Sequence, residues 1–124
     1  MSLALRKNLV TFAQTKSLLM QTANTLAQLR LLASQRIPRG GKAILYGSRA
    51  RGDYGPHSDW DILLLIDKDT LEQADYDNVS YPFVLLGCDL HESITPILYT
   101  QKEWDSYKIT PFYENVTREG ISLL

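Results

Sequence analysis

Apolar residues recur at three- and four-residue steps through the first third of the chain. Leu5, Leu9, Phe12, Ala13, Leu19, Met20, Ala23, Leu26, Ala27 and Leu31 form one stripe, with Lys16 as its polar break. This period predicts an amphipathic helix over roughly residues 5–34. At about 1.5 Å per residue it would run about 45 Å, long for a chain of this size, so its far end is expected to break or to pack on another subunit. Ile37-Pro38-Arg39-Gly40-Gly41 ends it, because proline and paired glycines do not readily continue a helix.

The pattern then changes. Lys42–Tyr46 is a short apolar run that reads as a strand, Ser48–Arg51 opens a short helix, and Asp53–Ser58, with Gly55-Pro56, reads as a loop. Ile62–Ile66 is apolar on both faces, as in a central strand covered by helices on both sides. Residues 67–77 are polar and begin with a turn. Val79–Leu90 predicts a helix with Pro82 in its first turn. Ser93–Tyr99 reads as a third strand, where Pro96 either argues against a strand or places it at a sheet edge. Lys102–Tyr107 reads as a short helix, and Thr110-Pro111 caps a last helix that runs to about Glu119 and stops at Gly120. The order predicts an α/β (α+β) domain: a small mixed β-sheet flanked by helices, with a long N-terminal helix. The organisation expected is one domain over 1–124, with an N-terminal helical region (1–36), a core (42–100) and a C-terminal helical region (101–124).

Composition narrows the class. At 44% hydrophobic and 22% charged over 124 residues the chain reads as globular, and it holds no apolar stretch of about 18 residues that would suggest a membrane span. Cys88 is the single cysteine, so no internal disulfide can form and a reducing cytoplasm is expected. No cysteine–histidine cluster suggests zinc. The net charge of −1 hides an asymmetry: all fourteen acids lie beyond residue 52, and nine of the thirteen basic residues lie before it. Such a division marks either a surface for a polyanion or partner, or two halves that neutralise one another within the fold.

The candidate chemistry sits between the first two strands. Asp59 and Asp61 are two residues apart at the mouth of a strand, so their carboxylates share a face. Two like charges so placed repel, and a divalent cation would offset that penalty; Mg²⁺ prefers carboxylate oxygens and keeps positions open for substrate phosphates. The plainer reading makes Ser58 or Asp59 a turn-bonding residue. Gly47-Ser48 follows the first strand, where glycine lets a backbone approach a ligand and the amides of a helix start attract phosphate. Arg49 and Arg51 add positive charge nearby. Together these features describe a nucleoside-triphosphate site that is not a P-loop, since G-x-x-x-x-G-K-[ST] is lacking. His57, His91, Trp60, Trp104 and Tyr46 read as loop or packing residues, and Asp53 as a cap after Gly52.

Gly47-Ser48-Arg49-Ala50-Arg51-Gly52, followed by Ser58-Asp59-Trp60-Asp61-Ile62-Leu63, resembles the minimal nucleotidyltransferase family of the DNA polymerase β-like superfamily. The direct resemblance covers residues 43–67. It implies that Gly47 and Ser48 hold a triphosphate and that Asp59 and Asp61 bind Mg²⁺ (or Mn²⁺); Arg49 and Arg51, as nearby positive charge, complete the expected nucleotide-binding set. It implies transfer of a nucleoside monophosphate, AMP from ATP, to a hydroxyl acceptor. The superfamily's third carboxylate is expected on the strand after the aspartate pair. The position here is Ser93, which has no charge; Glu92 is adjacent and would need a local bulge to join the metal ligands, because a one-residue shift reverses the face. The resemblance further implies a helical partner protein, a HEPN-like toxin in toxin-antitoxin pairs, with the basic helix as the partner or homodimer surface. Two other readings stand beside the enzyme. One is a catalytically weakened nucleotide-binding or antitoxin-like module; the other is salt-dependent RNA binding by the basic half.

Overall fold

The computed structural model describes the backbone of residues 3–124 and side chains from Phe12 onward. Helix α1 (Leu3–Arg36) leads into β1 (Lys42–Tyr46) and the one-turn helix α2 (Ser48–Arg51). Strand β2 (Trp60–Ile66) follows the loop. A helical segment then comprises α3 (Gln73–Asp75), a π-helical stretch (Tyr76–Ser80) and α4 (Tyr81–Leu90). Strand β3 (Ile94–Thr100) precedes α5 (Gln101–Ser106), α6 (Pro111–Glu119) and the short β4 (Ile121–Ser122).

The four strands form one mixed sheet in the order β3-β2-β1-β4. β1 and β2 are antiparallel, β2 and β3 parallel, and β4 pairs antiparallel with β1. Pro96 therefore lies on an edge strand, where its missing N–H costs no ladder bond. Alternation along β2 divides the core. Trp60, Ile62, Leu64 and Ile66 face a layer containing Leu29 and Ala33 of α1, Val79 and Phe83. Leu63 and Leu65 face Trp104 of α5 and Val116 of α6, with Tyr46, Ile97 and Tyr99 packed beside them. Both sides of β2 are covered, which is why residues 62–66 are apolar without alternation.

Two expectations needed revision. The fourth strand was not anticipated, because Ile121-Ser122 is two residues long and carries no pattern of its own; its pairing with Ile44 and Leu45 defines it. Residues 67–77 begin with bends at 67–70, as expected, and α3 follows from Gln73, where Glu72 and Asp75 form a capping box. The stripe on α1 also coincides with the packing face only at Leu26 among the residues whose side chains are described. Leu29, Ala33 and Thr25 are buried, and Leu18, Thr22, Leu26 and Leu32 are half-buried, whereas Phe12 (72% exposed), Met20 (65%), Leu19 (56%) and Leu31 (53%) look outward. The packing face contains threonines, which a hydrophobicity pattern does not score as core. Leu5 and Leu9 lie outside the described side chains.

Leu29 anchors α1 to the sheet at 0% exposure. Leu29→Ala is expected to lower stability by about 2–5 kcal/mol through lost burial and a cavity, read as a shift of the urea unfolding midpoint at unchanged slope.

Candidate functional site

Strand parity assembles the site. Asp61 shares its face with Leu63 and Leu65, so its carboxylate lies on the α5–α6 side of the sheet. Its register partners are Tyr46 on β1 and Thr95 on β3. Asp59 is exposed, one residue outside the strand, and its charge acts on Asp61. Ser58 takes the turn-bonding role: its hydroxyl accepts from Gly55 N at 2.9 Å, and its own N–H donates to Gly55 O at 3.3 Å. Asp59 is thereby left free of the turn.

Burial, and then the charge of Asp59, raise the pKa of Asp61, while Arg51 works in the opposite direction. Folded Asp61 therefore keeps its proton to higher pH than the unfolded chain, whose value is 3.8. Ionising it costs stability as pH rises from that value through the folded one, and the loss is complete above it. In metal-free protein, Asp61→Asn is expected to remove this decline, so that the unfolding midpoints of the two proteins diverge as pH rises above about 4, in favour of the variant. Tyr46 is pushed up to about 12 by burial, with contributions from Asp61 and Tyr99. Its phenol stays protonated beside the carboxylate and cannot serve as a base.

Gly47 stands directly against Asp61. A Cβ there would be in hard contact with Asp61 Oδ2 and 3.3 Å from its Cγ. With φ 76° and ψ −159°, Gly47 adopts a conformation essentially reserved for glycine. It turns the chain so that α2 starts beside the carboxylate, and its carbonyl accepts from the amides of Ala50 and Arg51. The first amides of a helix have no acceptor within it, so Ser48 begins a small cradle of donors.

Arg51 is partly exposed and pairs with Glu119 at 3.2 Å and Asp53 at 3.3 Å. Asp53 is therefore an ion-pair partner of Arg51. Arg51, Gly47 and Tyr46 line a cavity of about 240 Å³ completed by Phe112, Asn115, Val116 and Glu119.

Two candidates lie elsewhere. Arg49, expected at the phosphates, is buried, with only 1% of its side chain exposed. It hydrogen-bonds Ser58 O and Thr22 and sits over the rings of Trp60 and Tyr54. Glu92, expected as a metal ligand, pairs with Arg49 at 3.7 Å and is 7% exposed. The reason is parity. Trp60 and Ile94 point to the α1–α4 side, opposite Asp61, and no bulge redirects β3. Breaking such a buried pair by removing one partner costs about 3–5 kcal/mol. On the aspartate side, parity puts Ser93, just before β3, and Thr95 of β3, neither charged. Among the described residues no group of three or more His, Cys, Asp or Glu side chains could hold a metal.

The two remaining carboxylates still suit Mg²⁺, which is commonly held by one or two carboxylates plus substrate phosphates. Burial first and the charge of Asp59 second disfavour ionised Asp61, and a cation bound between the two carboxylates would offset both penalties. His57 and His91 are exposed, and His91 ends α4 in a left-handed turn. Trp104 belongs to the aromatic cluster with Tyr99, Tyr107, Phe112 and Tyr113. Among the described residues, no helix is long and apolar enough to cross a membrane.

A family profile described as "Nucleotidyltransferase domain" matches residues 26–116. Among solved structures, the chain is similar to one described as "Crystal structure of the toxin-antitoxin with AMP-PNP", at 23% identity and a TM-score of 0.55, covering 82% of this chain and 71% of that one. That likeness concerns the fold. No curated protein matches the chain.

Proposed function

The chain belongs to the nucleotidyltransferase domain family, and on that premise we propose that it transfers AMP from ATP to a hydroxyl acceptor in a Mg²⁺-dependent reaction. The observation that carries this reading is the contact of Gly47 with Asp61: only a glycine lets the phosphate cradle start against the metal-binding carboxylate. Asp59 and Asp61 would hold the cation, as Mg²⁺ or Mn²⁺. The amides at Gly47-Ser48 and the Ser48 hydroxyl would orient the triphosphate. Arg51, half-exposed and already next to Gly47, would exchange Glu119 for a phosphate oxygen. A cation bound there supplies charge neutralisation at the phosphoryl oxygens and activation of the attacking hydroxyl. Tyr46 remains a neutral hydrogen-bonding group at the edge of Asp61.

The acceptor we propose is a hydroxyl on a helical partner protein, a HEPN-like toxin, bound along α1. Support comes from the fold shared with a toxin-antitoxin structure that contains AMP-PNP, and from the unpaired apolar residues Phe12, Leu19 and Met20. The lone thiol of Cys88 is consistent with a cytoplasmic setting.

One observation favours a second reading. Ser93 and Thr95 leave the aspartate side of β3 without a carboxylate, so a nucleotide-binding antitoxin-like module with slow or absent transfer is the alternative. Calorimetric titration of ATP with and without Mg²⁺, followed by incubation with α-phosphate-labelled ATP and a candidate partner, separates them. The enzyme gives Mg²⁺-dependent binding, pyrophosphate release and label on the partner. Binding without pyrophosphate selects the module, and no binding under any metal condition overturns both.

A further inference from the structure

Asp61 and Asp59 are held in different ways. Asp61 belongs to β2 and is fixed by pairing with both neighbouring strands. Asp59 lies outside the ladder, so its position depends on what holds Ser58 and Trp60. Trp60 N donates to Ser93 O at 2.8 Å, which ties the chain just after Asp59 to the start of β3. The chain just before it is held by Arg49, whose Nε and Nη2 donate to Ser58 O at 3.3 and 3.2 Å.

The same guanidinium is fixed on every side. Its carbon is 4.6 Å from the Trp60 ring centroid and 4.7 Å from that of Tyr54. Glu92 pairs with Nη2, and Nη1 donates to Thr22 of α1 at 3.3 Å. The Trp60 indole N–H has no hydrogen-bond partner, so the ring is held by packing and by the cation above it. Arg49 itself stands on α2, one residue after Ser48 of the phosphate cradle. One buried side chain thus joins the cradle to the backbone that carries Asp59.

We propose that Arg49 is the positioning residue of the metal site: through the Ser58 carbonyl it sets Asp59 relative to the Gly47-Ser48 cradle, with Glu92 and Thr22 orienting its guanidinium. The proposal rests on the Mg²⁺–nucleotide reading above. It assigns Arg49 and Glu92 to the opposite face from the phosphates and cation, acting on them only through the backbone. It also makes α1 part of the site's support through Thr22.

Lysine at this position would keep a charge for Glu92 but could not fork onto Ser58 O while stacking on Trp60 and reaching Thr22. Arg49→Lys is therefore expected to fold and to raise the Mn²⁺ concentration needed for half-maximal ATP binding by about tenfold, a typical loss when a residue supporting a metal ligand is changed. Mn²⁺ binding would be followed by electron paramagnetic resonance at saturating ATP, with no turnover required. Thr22→Val is expected to raise the same concentration about two- to threefold, and Thr22→Ser to restore it, as the loss of one of several contacts to the supporting residue implies. Leu123→Ala, a core truncation outside α1 and the site, controls for stability alone and should leave the Mn²⁺ requirement unchanged. A folded Arg49→Lys protein with the wild-type Mn²⁺ requirement would overturn the proposal. If that variant does not fold, an unchanged requirement in Thr22→Val would do so. Wild-type protein that binds no ATP with Mn²⁺ would instead overturn the underlying metal–nucleotide reading, and this is visible before any variant is made.

Discussion

Replacing Asp59 and Asp61 together by asparagine is expected to abolish Mg²⁺-dependent ATP binding and to lower AMP transfer by at least about 10³-fold. A cation clamp on a phosphoryl group contributes several kcal/mol, and each 1.4 kcal/mol is about tenfold in rate. Asparagine keeps the shape of each side chain but removes the anionic oxygens that Mg²⁺ requires. The fold should survive, because the substitution also removes the repulsion and burial cost that raise the pKa of Asp61. Calorimetry with ATP and Mg²⁺, alongside a thermal unfolding scan, separates the two effects. A folded double variant that still binds ATP in a Mg²⁺-dependent manner would remove these carboxylates from the site.

Gly47→Ala carries the second large effect. At φ 76° and ψ −159° a non-glycine residue pays about 1–3 kcal/mol in backbone strain. The added methyl would also meet Asp61 Oδ2, with Cγ at 3.3 Å and Cβ at 3.5 Å. Neither can retreat easily, since Asp61 is fixed in β2 between Tyr46 and Thr95. The expected result is a destabilisation of at least about 2 kcal/mol together with loss of ATP binding. Gly52→Ala is the matched comparison. Gly52 also has a positive φ, 91°, but a Cβ there meets nothing within 4 Å. That variant should lose about 1–2 kcal/mol from backbone strain alone and retain ATP binding. Equal losses of binding in the two would show that strain, and not the contact with Asp61, is responsible.

How much of this could be read in advance depended on the range of each interaction. The side of the sheet that Asp61 faces was legible from strand parity, whereas Asp59 lies one residue outside β2 and its placement depends on Ser58 and Trp60. Gly47 was legible as a close-approach glycine, although the group it approaches was not. Thr110 was legible as a cap, and its side chain does accept from Tyr113 N. Arg49 was misplaced because its motif neighbours suggest a phosphate ligand. Its burial depends on Thr22, Tyr54, Trp60 and Glu92, which come from four separate segments. A signal was present in the requirement that a bulge redirect Glu92; without one, an even-numbered residue preceding Ile94 falls on the Trp60 side.

The amino-acid order by itself determined the local features: the helix and strand segments, the punctuation by Pro38, Gly47 and Gly120, and the two carboxylates at the mouth of β2. These follow from steric limits and side-chain period, which act over a few residues. Only the tertiary structure decided which face of α1 packs, that Ile121-Ser122 becomes a strand, and that Arg49 and Glu92 neutralise each other beneath the site. Those outcomes depend on burial and pairing between segments distant in the chain. A threonine can then be core, an exposed leucine stripe can remain free, and an arginine can be withdrawn from solvent when another segment supplies its acceptors.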